Sequence, residues 1–185
     1  ACAARRGRAA GAAVGAVLTG GGAAASSATS ACLLVTGPAP PGDGWLTLEE
    51  RQLEARLRIP KRRADWRLGR WAAKQAAQAL GLARTALAVE VRAARGGAPE
   101  LWLEGARWPG TLSLSHAHDR ALAALRPDGG PLGADVEQVE ERTAAFVEDY
   151  FTASEQRAWK MADPRAQALL ATLLWSSKES ALKAL

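Results

Sequence analysis

One short pattern occurs twice in this chain, as Trp71-Ala72-Ala73-Lys74-Gln75-Ala76-Ala77 and as Trp175-Ser176-Ser177-Lys178-Glu179-Ser180-Ala181. Both copies are rich in helix-forming residues, and a proline that suits a first helical turn opens each segment, Pro60 for one and Pro164 for the other. A duplicated unit is one explanation of the recurrence, with one long helix near the end of each half of the folded region. Chance similarity between alanine-rich helices is the alternative. Gln75 stands opposite Glu179, so only the second copy carries a carboxylate at that place.

The remaining punctuation fits this plan. Gly37 to Gly44 is a Pro- and Gly-rich break after an apolar strand at Ala31 to Val35. Thr47 with Glu50 forms a capping-box pattern that predicts a helix to about Arg58, and Thr152 with Glu155 repeats the signal. The helix from Pro60 is expected to end at Gly81. Short strands are predicted at Leu87 to Arg92, Leu101 to Glu104, Thr111 to Ser115, Ala121 to Leu125 and Leu132 to Val139. Strands and helices that do not alternate regularly predict an α+β fold. The expected organisation is a low-complexity tail over 1–36 running into a first strand, a first half over 37–130, and a second half over 131–185.

Gly133-Ala134-Asp135-Val136-Glu137 reads as a strand, which puts Asp135 and Glu137 on one face and Ala134 and Val136 on the other. In the helix that follows, Glu179 and Lys183 lie four residues apart on one stripe. Three carboxylates brought together in this way suit Mg²⁺, a hard cation that completes its shell with water and substrate phosphates.

The first long helix carries the strongest basic signal. Arg56, Arg58, Lys61, Arg62, Arg63, Arg67, Arg70 and Lys74 are accompanied by the single acid Asp65, and the last four cations share one helical face. Acids usually intersperse a merely solvated face, so an anion site is the favoured reading. The formal net charge of +5 agrees with an anionic partner but does not select one. His116 and His118 are by themselves ordinary structural histidines, and Trp66, Trp71 and Trp175 read as core packing. With 48% hydrophobic residues, the 185-residue chain can bury a sizeable core. Cys2 and Cys32 support neither a disulfide framework nor a zinc site and suit a reducing cytoplasm. Arg5, Arg6 and Arg8 precede a weakly apolar stretch, Ala9 to Leu18, that Gly11 and Gly15 break; it reads as a disordered tail rather than an export signal or membrane span.

Taken together, G-x-D-x-E at Gly133 to Glu137, W-x-x-K-E-x-x-x-K at Trp175 to Lys183, Trp66-Arg67-Leu68-Gly69-Arg70-Trp71-Ala72-Ala73-Lys74 and Ser113-Leu114-Ser115-His116 resemble the ordered motifs of the 4'-phosphopantetheinyl transferases. The resemblance is to the larger, monomeric, pseudo-duplicated type. It implies two pseudo-symmetric α+β halves, each a small antiparallel sheet with a long helix. Members of the family continue past the last motif, so the second half is expected to be cut short. The implied reaction moves 4'-phosphopantetheine from coenzyme A to a serine of an acyl or peptidyl carrier protein, as a holo-carrier-protein synthase does. By resemblance, Asp135, Glu137 and Glu179 hold Mg²⁺; Glu179, Lys178 and Lys183 serve the chemistry, with Glu179 also a candidate base; Arg67, Arg70, Lys74 and His116 hold coenzyme A phosphates. Neither nucleic acid nor a membrane is an expected partner. The rival readings are a basic nucleic-acid-binding module, which lacks base-reading side chains beside its arginines, and an inactive carrier-binding fragment.

Overall fold

The computed structural model describes residues 30–185 together with the backbone of Ala13–Thr19. The strands in chain order are β1 (Ala13–Thr19), β2 (Ala31–Thr36), β3 (Val89–Ala93), β4 (Pro99–Leu103), β5 (Ala106–Arg107), β6 (Thr111–Ala117), β7 (Arg120–Arg126) and β8 (Leu132–Gln138). The helices are α1 (Leu48–Glu54), α2 (Pro60–Ala79), α3 (Ala144–Tyr150), α4 (Ala153–Met161) and α5 (Pro164–Ala184). The fold is α+β. All the strand pairs are antiparallel, in the orders β2-β7-β6, β3-β4-β5 and β1-β8.

Two long helices, each opened by its proline, lie on separate sheets: α2 on β2-β7-β6 and α5 on β1-β8. The alternation of β7 joins them. Ala121, Ala123 and Leu125 belong to the core beneath α2, with Leu68, Ala72, Ala73, Ala76 and Ala77, whereas Leu122 and Ala124 pack against Leu132, Ala134 and Val136 of β8. A strand buried on both faces reads as a continuous apolar run, and Ala121 to Leu125 is one. The small residues of α2 let its backbone lie close to the sheet.

Three local expectations change. Ala13–Thr19, expected in a low-complexity tail, pairs as β1 with β8, from Ala13 opposite Gln138 to Thr19 opposite Leu132. The arginines Arg5, Arg6 and Arg8 and Cys2 lie outside the described residues. Both capping boxes form, but α1 ends at Glu54 rather than near Arg58. Pro60 disfavours helical backbone at Ile59, which is extended at φ −87° and ψ 117°, so α1 cannot run on into α2. A helix that the sequence reading passed over, α3, begins where Thr143 accepts the amide of Phe146.

Candidate active site between β8 and α5

Period two along β8 puts Asp135 and Glu137 on the face that α5 covers. Asp135, 3% exposed, accepts at Oδ1 from Lys183 Nζ at 2.7 Å and from Ser115 Oγ of β6 at 2.7 Å. Its Oδ2 is buried and has no partner. Glu137 accepts from Trp175 Nε1 at 3.0 Å and lies 3.7 Å from Arg142. Burial, and then the like charge of Asp135, push the Glu137 carboxyl above its ordinary value; Trp175 and Arg142 offset part of this.

Trp175, Glu179 and Lys183 follow one another at four-residue steps along α5. The first and third bond Glu137 and Asp135, so Glu179 shares the stripe that carries both contacts, half-buried between them. The claw is not closed, however. Among the described residues, no three acidic, imidazole or thiol side chains are grouped closely enough to hold a metal ion. Lys183 and Arg142 take the positions of counter-charge instead. The donor set still suits a hard cation: Mg²⁺ needs only one or two carboxylates when phosphates and water complete its shell, and Asp135 Oδ2 is an oxygen without another bond.

Close approach is built into this contact. A Cβ on Gly133 would overlap the carbonyl of Ser180 and stand 3.0 Å from the amide of Ala184. Thr172, Ser176 and Ser180 are fully buried on the same helix. The glycine of G-x-D-x-E therefore sets how near α5 comes to the acids.

Lys178 is placed elsewhere. Its ammonium pairs with Glu155 of α4 at 2.9 Å and meets neither strand acid. The ion pair is what holds Glu155 below the ordinary carboxylate range. Trp175 departs from its expected role in the other direction: its ring packs on Phe146 and Tyr150, but its indole N–H orients Glu137. The four-residue step back from Glu179 could have revealed this.

The basic face of α2 exists but is not open. Arg67 donates to Asp43 and Glu54 and to the carbonyls of Pro40 and Gly42. Desolvation alone would lower its pKa, but the hydrogen bonds it donates to Asp43 and Glu54 outweigh it. Lys74 is 0% exposed, bonded to Glu50 at 2.8 Å and to the carbonyls of Ala86 and Val89. Burial lowers its pKa, against the attraction of Glu50. The neutralising acids come from elements outside the helix, which itself carries only Asp65.

Arg70 and His116 come to a common cavity of about 450 Å³, which they line with Lys61, Arg62, Trp66 and Ser115. The Arg70 guanidinium stacks on Trp66 at 3.4 Å, its Nε is buried without an acceptor, and desolvation brings its pKa down to about 10 despite Glu50 and Glu90. It remains a cation at neutral pH. Arg67 and His118 line a different cavity of about 790 Å³, walled by Pro38 to Gly42, and Lys74 lines neither.

The serines of β6 belong to the Ser113–His116 motif, which gave them no role of their own. Ser113 Oγ accepts the Ala134 amide at 2.9 Å and Ser115 donates to Asp135, so the two hydroxyls join the sheet under α2 to the strand under α5. Their alternation, which puts both on one face, was the available signal. Among the described residues, no helix is long and apolar enough to cross a membrane. No curated protein matches the chain. Residues 131–185, from just before β8 through α5, match the family model of the 4'-phosphopantetheinyl transferase superfamily.

Proposed function

We propose that the chain transfers 4'-phosphopantetheine from coenzyme A to a serine of an acyl or peptidyl carrier protein, with Mg²⁺ as its metal. The observation that carries this reading is the pair Asp135 and Glu137, facing α5 inside the matched segment, with one carboxylate oxygen of Asp135 buried and unbonded.

Asp135 and Glu137 would hold the metal, and Glu179, on the stripe between their two helix partners, would join them. The ion's chemistry is to polarise the pyrophosphate and offset the charge gathering on the departing phosphate. Lys183, released from Asp135, would supplement that charge stabilisation, with Lys178 a more distant contributor through the same helix. Arg70 and His116 would receive a coenzyme A phosphate in the cavity they share with Lys61 and Arg62. Arg67 and Lys74, already bonded to carboxylates, would hold the walls of the site rather than the phosphate. The carrier serine oxygen bonds to the phosphorus that bears pantetheine, and the anhydride oxygen leaves with 3',5'-adenosine bisphosphate. The serine proton passes to Glu179, directly or through a water.

The test is mass spectrometry of an apo carrier protein incubated with the chain, coenzyme A and Mg²⁺. A phosphopantetheine mass gain that disappears with chelator and with Asp135→Ala is expected. An unmodified carrier overturns the reading.

A further inference from the structure

We propose that Ser115 is the positioning residue of Asp135: its hydroxyl fixes the rotation of the carboxylate that leaves one oxygen facing a bound cation. The inference rests on the metal-holding role proposed above. Both donors to Asp135, Ser115 and Lys183, converge on Oδ1, and Oδ2 is left buried and bare. The terminal torsion of an aspartate is broad, so an untethered carboxylate turns readily about it. Here two donors on one oxygen restrain that rotation.

The two donors differ in permanence. Lys183 is partly exposed, at the end of a flexible stem on the last turn of α5, and its positive charge is what an arriving cation replaces. Ser115 is 8% exposed and belongs to β6, where it pairs with Leu122 of β7. Its hydroxyl keeps its place when Lys183 leaves. Groups of this kind orient metal ligands, and losing one usually weakens metal affinity about 10- to 100-fold. A second consequence follows from the single proton of a hydroxyl. Ser115 lines the cavity of Arg70 and His116, but the proton given to Asp135 is not available to an anion there.

Mn²⁺ titration of the full chain, read by electron paramagnetic resonance, tests the proposal. Ser115→Ala is expected to weaken Mn²⁺ binding about 10- to 100-fold, and Ser115→Thr, which restores a hydroxyl, to retain most of the affinity. Ser115→Cys keeps the shape with a poor donor and is expected to weaken binding even if the alanine variant does not fold. Ser113→Ala removes a buried hydroxyl from the same seam without touching a carboxylate, so its Mn²⁺ affinity is expected to match the wild type. Wild-type affinity in both Ser115→Ala and Ser115→Cys, or an equal loss in Ser113→Ala, overturns the positioning role alone. If the wild type binds no Mn²⁺, or Asp135→Asn binds it as well as the wild type, the metal site itself fails and the positioning role fails with it.

Discussion

Gly133 lies directly beneath Ser180, so close that a Cβ on the glycine would overlap the serine carbonyl. The helix carrying Glu179 and Lys183 thus rests on a strand backbone that has no side chain at that place. Gly133→Ala must push α5 away or bend β8, and overpacking of this kind costs about 1–3 kcal/mol. Urea denaturation is expected to show that loss, accompanied by weaker Mn²⁺ binding. Unchanged stability would mean that the contact has room to relax.

Replacing Asp135, Glu137 or Glu179 by Ala is expected to lower carrier modification by about 10²–10³-fold each, the scale of one aligned electrostatic contact in a transition state. Circular dichroism checks that the fold survives. Lys178→Ala, which breaks a pair with α4 rather than with the strand acids, is expected to have the smaller effect of the two lysines. Equal losses for Lys178→Ala and Lys183→Ala would show that both reach the reacting phosphate.

Glu137 gives the stability a pH dependence of definite sign. Burial and the neighbouring Asp135 raise its folded pKa above the ordinary 4.5, so the folded state binds this proton more tightly than the unfolded state. That contribution is complete below the ordinary value and is lost as the pH rises through the folded one. In chelator-treated buffer, Glu137→Gln is therefore expected to melt higher than the wild type near neutral pH, and the gap to close on acidification. Parallel melting curves across that range would refute the assignment.

Glu50 and Lys74 form a fully buried pair that also carries the capping box of α1 and the amide of Val91. Glu50→Ala leaves Lys74 uncompensated, and breaking such a pair from one side costs about 3–5 kcal/mol. The double variant Glu50→Gln with Lys74→Met is expected to recover part of that loss in thermal denaturation. Coenzyme A affinity in the double variant is expected to stay near that of the wild type. A large drop would return Lys74 to the phosphate contacts that the motif implied.

Arg70→Ala and His116→Ala are expected to weaken coenzyme A binding in calorimetric titration. The Arg70 change is the larger, about 10- to 100-fold, since a charge-assisted hydrogen bond contributes about 1.5–3 kcal/mol. Arg67→Ala is expected to act mainly on stability through Asp43 and Glu54. Equal affinity in the Arg70 variant would move the phosphate out of the cavity lined by Trp66 and Ser115.

What could be read from the sequence is what depends on near neighbours along the chain. Both capping boxes, the proline-opened long helices and the split of β8 into Asp135 with Glu137 and Ala134 with Val136 follow from spacings of two to four residues. The cationic stripe of α2 was legible on the same terms. Its neutralisation was not, because Asp43, Glu50, Glu54 and Glu90 approach from a loop, from α1 and from β3.

The sequence alone determined the α+β class, the two proline-opened long helices and which residues share each face of β8, because period and end-signals act locally. Tertiary structure decided which charges stay available. It enclosed Lys74, turned Lys178 toward Glu155, gave Arg70 and His116 a common cavity and set Ser115 against Asp135. The physical reason is that ion pairing and desolvation depend on distance in space, and the partners here lie up to tens of residues apart in the chain, so no local pattern could identify them.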